Sequence, residues 1–270
     1  MTKKTIVVCG DSFNYGIGCV DLSKSPYSVL VSKRFDCNLI RLARGSATNF
    51  AIGLQAEYAA TKITPKPDLI IIGMTGFDRV EWQAENSEVA ATISLGLEDV
   101  NYHLYPPHNS PSSPLGILQP FYLENDPNYK PRLLTEQVRG IDDYISVHKK
   151  GLDVSKTFYK RLNSEPIPKL ELIMKYYFEV FQGDIKVRYD SAMIYQSYMK
   201  CINSGINSLI ITTFPHLFEG LVPSEHICKV DWGTLSKDHP DTIGSMHTGE
   251  EGHKIVADKI IERIETLGIL

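Results

Sequence analysis

Ser12 stands at the end of the first apolar run of the chain, in the stretch VVCGDSFNYGIG (residues 7–18). A serine hydroxyl becomes a strong nucleophile when a general base lies within hydrogen-bond reach of it. Histidine is the usual base, and His247 and His253 fall in SMHTGEEGHKIVADKI, at the start of the last helical pattern. Ser12 and His247 are therefore a candidate nucleophile and base for attack on a carbonyl carbon. The pattern places His253 within the helix, where we expect a structural role.

Four short apolar runs predict the strands that would position these residues. They alternate with helical patterns, and this alternation predicts right-handed βαβ units in a mostly parallel sheet with helices on both faces. We therefore expect an α/β fold, specifically a three-layer α/β/α sandwich of flavodoxin-like type. The strand patterns are TIVVC (5–9), NLIRLA (38–43), DLIIIGM (68–74) and SLIITTFP (208–215). The helical patterns are 26–35, 48–63, 190–204 and 249–268, and Ser25 is the expected N-cap of the first.

The middle of the chain differs in character from both ends. Residues 84–183 contain several prolines and many tyrosines, and the firmest helical pattern within them is IPKLELIMKYYFEVF (167–181). We expect this segment to be a mostly helical insertion that caps the site. The whole chain, 1–270, is then a single domain with one insertion.

Glycine-bearing turns follow three of the predicted strands. They are Gly10-Asp11-Ser12, Gly45-Ser46 and Gly73-Met74-Thr75-Gly76. Ligands of parallel α/β sheets bind beyond the carboxyl ends of the strands, and glycine allows the backbone to approach a ligand closely. The backbone N–H groups of Ser12 and Gly45 are candidate donors to an oxyanion.

These residues together resemble the SGNH, or GDSL-like, hydrolase family. The serine of that family lies in a Gly-Asp-Ser motif near the N-terminus, its second block supplies a glycine, and its histidine shortly precedes a helix. Its third block usually reads Gly-x-Asn-Asp, and the stretch in that place is Gly73-Met74-Thr75-Gly76. The sequence looks closest to a divergent, phage-like branch, because Gly73, Thr75, Arg79 and Glu81 match the pattern of that branch.

The resemblance implies a role for each matching residue. Ser12 would be the nucleophile and His247 its base, and the backbone N–H groups of Ser12 and Gly45 would bind the oxyanion. Thr75 stands where the family has an asparagine, and its hydroxyl would be the third oxyanion donor. The family's acid lies three residues before the histidine, where this chain has Gly244, and Asp241 is the predicted replacement.

Three further residues are predicted to support the site. Asp11 is expected to fix the loop after the first strand by hydrogen bonds to backbone amides. Asn49 is expected to hold the loop of the second block, with a helix N-cap as the alternative. Gly73 is expected to let the backbone of the turn after the third strand approach a ligand closely.

The function that this resemblance implies is hydrolysis of an ester with a short acyl group, acetyl among them, on a small molecule or a glycan. Two alternatives remain open at this point. One is a non-catalytic binding or structural protein of the same fold, which the glycine at position 244 favours. The other is an acyltransferase, in which an alcohol replaces water as the acceptor.

Composition argues against several other classes of protein. The net charge of −4 gives no basic surface for nucleic acid, and no apolar run approaches the ~20 residues that span a bilayer. Five cysteines without CxxC spacing and a short N-terminal apolar run favour a cytoplasmic protein. No Walker or GxGxxG pattern is present, and the histidines and aspartates at 238–253 match no metal motif. We therefore expect no cofactor and no metal, and the sequence leaves the oligomeric state open.

Overall fold

The structure is a computed structural model that describes residues 3–44, 47–77, 79–83, 90–95, 99–104, 136–139, 184–242 and 247–270. The chain divides into two compact units, one of residues 1–75 with 190–270 and the other of residues 76–189. In chain order the strands are β1 (Thr5–Cys9), β2 (Asn38–Arg41), β3 (Leu69–Gly73), β4 (Arg79–Gln83), β5 (Ala90–Leu95), β6 (Asp99–Leu104), β7 (Glu136–Arg139), β8 (Asn207–Thr212) and β9 (Ile227–Lys229). The α-helices are α1 (Ser12–Tyr15), α2 (Tyr27–Arg34), α3 (Asn49–Lys62), α4 (Asp184–Asn203), α5 (Trp232–Asp238) and α6 (Glu250–Leu267).

The first unit is built on a five-stranded sheet in which every neighbouring pair of strands is parallel. The strand order is β2-β1-β3-β8-β9, which is the doubly wound, flavodoxin-like order. The predicted parallel α/β architecture is confirmed. β1 and β3 are buried along their whole length, as their unbroken apolar runs predict for central parallel strands.

Helices cover both faces of this sheet. Alternate residues of the central strands, such as Ile6, Val8 and Ile71, form one core with residues of α2 and α6. The residues between them face the other way, where α3 contacts β1 and β3. Gly53 of α3 lies so close to α4 that a Cβ there would be 2.9 Å from the Ser197 hydroxyl. These contacts make the three layers that the sequence predicts.

The boundaries of two helices differ slightly from the predicted ones. α2 begins at Tyr27 with Pro26 in the N-cap position, and the Ser25 hydroxyl, predicted to be the cap, donates to Glu250 Oε1 at 2.7 Å instead. α4 begins at Asp184, six residues before the predicted start. β9 and α5 were not predicted, because three-residue strands and two-turn helices leave little periodicity to read.

The second unit contains an antiparallel sheet in the order β4-β5-β6-β7. The prediction that residues 84–183 are mostly helical is wrong for 90–95, 99–104 and 136–139, which are strands. Along these strands apolar residues recur at every second position, as in RVEWQ (79–83), AATISL (90–95) and DVNYHL (99–104), and the register pairs Val80 with Ile93 and Ile93 with Tyr102. That alternation is typical of a β-strand and not of a helix. The helix predicted at 167–181 lies outside the described residues.

No helix within the described ranges is long and apolar enough to span a bilayer.

Candidate active site

Ser12 and His247 lie in hydrogen-bond contact although 235 residues separate them in the sequence. The Nε2 atom of His247 is 2.8 Å from Ser12 Oγ. Ser12 is the first residue of α1, three residues beyond the end of β1, so the carboxyl edge of the parallel sheet presents it. When the imidazole proton is on Nδ1, Nε2 accepts the Ser12 proton, which is the contact that a serine nucleophile and its general base require.

Asp11 fixes the loop that carries Ser12. It is the N-cap of α1, and its Oδ1 accepts from the backbone N–H groups of Phe13 at 3.1 Å and Asn14 at 3.4 Å. The Ser12 N–H, by contrast, donates to no residue in the part of the chain that the structure describes. The cap therefore binds the second and third amides of the helix and leaves the first, on the nucleophile itself, available to a ligand.

Asn14 links this loop to the core. No motif in the sequence points to a role for this residue. Its Nδ2 donates to Asp11 Oδ1 at 2.9 Å, and its Oδ1 accepts from the Tyr27 hydroxyl at 2.8 Å. A Cβ at Gly73 would lie 1.9 Å from that same Asn14 oxygen. Gly73, predicted as a supporting residue, thus makes room for the fully buried Asn14 side chain.

Thr75 and Asn49 form a second buried connection to Asp11. The Thr75 hydroxyl donates to Asp11 Oδ2 at 2.7 Å. Asn49 accepts from the Thr75 N–H at 2.9 Å and donates to the Thr75 carbonyl at 3.2 Å and to Asp190 Oδ2 at 2.9 Å. The N-cap of α3 is Thr48, so Asn49 holds the turn after β3 rather than capping the helix. Because Thr75 donates its one hydroxyl proton to Asp11, this geometry does not support Thr75 as an oxyanion donor.

His247 lies on one arm of a short hairpin. Asp241 N–H donates to the His247 carbonyl at 3.1 Å, and His247 N–H donates to Asp241 Oδ2 at 2.9 Å. The hairpin rests against the loop after α1 at Gly18, where a Cβ would lie 2.2 Å from the Thr248 carbonyl oxygen. Gly18 also has a φ of +105°, which favours glycine. This third glycine of the opening stretch therefore lets the histidine arm approach the serine loop.

Asp241 thus contacts the histidine that it was predicted to orient. The contact described above is from its carboxylate to the backbone N–H of His247, so it positions the chain that carries the ring. Its predicted action on the imidazole tautomer stays a prediction. Gly45, the predicted second oxyanion donor, and Gly244 lie outside the described residues.

Aromatic rings pack beneath the Ser12–His247 pair. The Phe13 ring lies 4.5 Å from the His247 ring and 5.1 Å from the Trp232 ring, centroid to centroid. Behind them His253 is fully buried, and its Nδ1 accepts from the Tyr27 N–H at 3.4 Å. Burial lowers the pKa of His253 to about 4, so this second histidine is a neutral part of the core at pH 7.

Within the described ranges, no three His, Cys, Asp or Glu side chains come together in a way that could hold a metal ion. Among the described residues, the site contains a serine, a histidine, the Ser12 backbone N–H and buried carboxylates that are already hydrogen-bonded. Such a set can carry out acyl transfer without a metal or an organic cofactor.

Comparisons with known proteins give only distant similarities. No protein-family model matches the chain. No curated protein sequence matches it either. Solved structures that resemble it include the salicylyl-acyltransferase SsfX3 from a tetracycline biosynthetic pathway, with a TM-score of 0.38 and 10% identity over 100% of this chain. This chain spans 57% of that acyltransferase.

Two further structures have similarly low scores. A protein from Desulfitobacterium hafniense DCB-2 assigned to the lipolytic G-D-S-L family has a TM-score of 0.33 and 10% identity, over 97% of this chain and 99% of its own. The acetyl xylan esterase Est2A from the rumen bacterium Butyrivibrio proteoclasticus has a TM-score of 0.38 and 11% identity, over 100% of this chain and 66% of its own. Similarities at this level identify neither an activity nor a substrate.

Proposed function

We propose that the protein is a serine hydrolase that cleaves an ester of a short acyl group, acetyl among them, on a carbohydrate or another small alcohol. The observation that carries this proposal is the 2.8 Å contact between Ser12 Oγ and His247 Nε2 at the carboxyl edge of the parallel sheet. A serine kept only for packing needs no imidazole at that distance, so the contact favours an enzyme over a non-catalytic protein of the same fold.

Acylation begins when Ser12 Oγ attacks the carbonyl carbon of the ester. His247 Nε2 takes the hydroxyl proton as the new C–O bond forms, and the tetrahedral intermediate carries the negative charge on the former carbonyl oxygen. The intermediate collapses with cleavage of the ester bond. His247 then returns the proton to the leaving alcohol, which leaves an acyl group on Ser12.

The Ser12 N–H is suited to bind the oxyanion. It is attached to the nucleophile, it lies at the N-terminus of α1, and the N-cap carboxylate of Asp11 engages the two amides that follow it. A preorganised N–H donor of this kind is worth about 10²–10³ in kcat in a serine protease. The Gly45 N–H is the second donor that the proposal includes.

Deacylation repeats the chemistry with a different nucleophile. Water loses a proton to His247 and attacks the acyl carbon. The intermediate then collapses to a carboxylic acid as the bond to Ser12 Oγ breaks and His247 returns the proton to that oxygen. An alcohol in the place of water would give a new ester, so hydrolase and acyltransferase share every step up to this one. The acceptor therefore decides between them, and product analysis distinguishes the two outcomes.

The proposal is tested with 4-nitrophenyl acetate, an activated ester with a short acyl group. Ser12→Ala and His247→Ala should each lower kcat by about 10⁶. The nucleophile and its base act as a unit, so removing either one stops acylation by this route. The double variant should lose little more than either single one. Including an added alcohol in the assay, with the products resolved by chromatography, separates hydrolysis from transfer.

Ser224→Ala is the matched control, since Ser224 is an exposed serine elsewhere on the same unit. It should retain the wild-type rate. Turnover that survives in the purified Ser12→Ala protein, with its folding verified by circular dichroism, would contradict the proposal.

A further inference from the structure

Phe13, the residue after the nucleophile, packs against the base. Its ring centroid lies 4.5 Å from that of His247, with the two planes inclined by 45°. On its other side the Phe13 ring stacks on Trp232 at 5.1 Å and 25°. Trp232 is itself buried at the start of α5, so Phe13 is held between a fixed ring and the catalytic imidazole.

The position of Phe13 follows from the turn that presents Ser12. Asp11 accepts from the Phe13 N–H at 3.1 Å, so residues 12 and 13 belong to one capped helical turn. Consecutive residues of a helix point about 100° apart, which allows Ser12 to face the ligand side while Phe13 faces the Trp232 side. One turn of helix therefore contacts His247 twice, through the Ser12 hydroxyl and through the Phe13 ring.

An aromatic ring in this position has two consequences for an imidazole. It restricts rotation of the His247 ring, so Nε2 stays directed at Ser12 Oγ. It also attracts the imidazolium more than the neutral imidazole, because the face of an aromatic ring is electronegative. His247 is an imidazolium after it takes the serine proton and before it releases that proton to the leaving group.

We propose that Phe13 is a positioning residue that holds the His247 ring toward Ser12 and stabilises its protonated form. The inference rests on the proposed function, in which His247 is the base. The titratable groups on the described elements around His247 are Asp11 on the serine loop, Asp241 and His239 on the hairpin, and Glu250 and His253 on α6. A substitution at Phe13 removes none of these charged groups.

The test compares Phe13→Leu, which removes the ring but keeps an apolar side chain, with Phe13→Tyr, which keeps the ring. Phe35→Leu is the matched control, since Phe35 is another partly buried phenylalanine packed on the core. Proton NMR titration of the imidazole Cε1–H signals, assigned with His247→Ala, measures the pKa of His247 in each protein. Kinetics on 4-nitrophenyl acetate over a range of pH measure kcat and KM.

We expect Phe13→Leu to lower the pKa of His247 by about 0.5 pH unit, the size of a partly exposed cation–π contact. The acidic limb of kcat/KM should move down by the same amount, and kcat should fall about tenfold with KM unchanged. Phe13→Tyr and Phe35→Leu should leave the pKa of His247 within 0.1 pH unit of wild type.

An unchanged pKa and kcat in Phe13→Leu, or the same shifts in Phe35→Leu, would overturn the inference. The NMR titration needs no turnover. If wild-type protein has no esterase activity, the proposed function fails, whereas the pKa of His247 in Phe13→Leu still decides whether the ring contact acts on the imidazole.

Discussion

The two partners of the Ser12–His247 contact are held in different ways. Ser12 sits on a turn whose side chains are tied to the core: Asp11 and Asn14 are buried, and they receive hydrogen bonds from Thr75 and Tyr27. His247 sits on a partly exposed hairpin that is closed by backbone hydrogen bonds and one carboxylate.

The difference has a physical consequence for how each side responds to substitution. A buried polar group that loses its hydrogen-bond partner keeps its desolvation cost. Substitutions on the serine side, meaning the turn of residues 11–14 with its partners Thr75 and Tyr27, should therefore reduce stability. A hairpin at the surface can lose one contact to water at little cost, so damage to the histidine side should reduce activity alone. We therefore expect substitutions that support Ser12 to lower the free energy of unfolding, and substitutions in the hairpin of His247 to lower activity without lowering stability.

The largest effect on stability should come from Asn14→Ala. This change removes the acceptor of the buried Tyr27 hydroxyl and a donor to Asp11, and it leaves a small cavity beside Gly73. We expect the free energy of unfolding to fall by about 2–3 kcal/mol, as measured by urea denaturation. Tyr27→Phe, which removes only the hydroxyl, should cost about 1 kcal/mol. A cost under 0.5 kcal/mol for Asn14→Ala would show that the serine side is not held by this network.

A second effect should appear as a dependence of stability on pH, through His253 beneath the same turn. Its pKa in the folded protein is lowered from 6.5 to about 4 by burial, so the unfolded chain binds the proton more readily. The stabilisation is therefore fully present above pH 6.5 and is lost as the pH falls toward 4. Between pH 7.5 and pH 5 this one group should cost about 2 kcal/mol of unfolding free energy.

His253→Gln is the variant that isolates this contribution, because glutamine is polar but does not titrate. Its urea midpoint should change less between pH 7.5 and pH 5 than that of the wild type, by the amount that His253 contributes. Equal pH dependence in the two proteins would mean that the second histidine is not buried in its neutral form.

The smallest effect on stability should come from the histidine side, with Asp241→Asn. The amide oxygen of asparagine can still accept from the His247 N–H, so the hairpin should close and stability should stay within 0.5 kcal/mol of wild type. The predicted role of Asp241 in orienting the imidazole tautomer implies that kcat falls by about 10⁴. A loss of tenfold or less would contradict that role and leave only the contact to the His247 backbone N–H.

The sequence predicts the parts of this molecule that have a local signature. β1, β3 and β8 are unbroken apolar runs, and such runs can be recognised without knowledge of their neighbours. The place of Ser12 at the carboxyl end of β1 follows from the same pattern. The link to His247 follows from its place just before the last helix together with the resemblance to a family, because no local property connects residues 235 positions apart.

The residues that support the site were harder to predict because their partners are distant in sequence. Asn14 is buried only because Gly73 of another strand leaves room for it, and Asp190 meets Asn49 across 141 residues. Thr75 matched an expected donor position, yet its proton is directed to Asp11. Residue type and motif position do not determine the direction of a hydroxyl, which depends on the nearest carboxylate.

The most direct test of the account is labelling with a fluorophosphonate, a probe that reacts with a serine activated by a base. The account predicts one modified residue, Ser12, identified by peptide mass spectrometry after digestion. The His247→Ala protein should react far more slowly, and Phe13→Leu at an intermediate rate. Labelling of a different serine, or labelling of Ser12 at the same rate in His247→Ala, would contradict the claim that His247 activates Ser12.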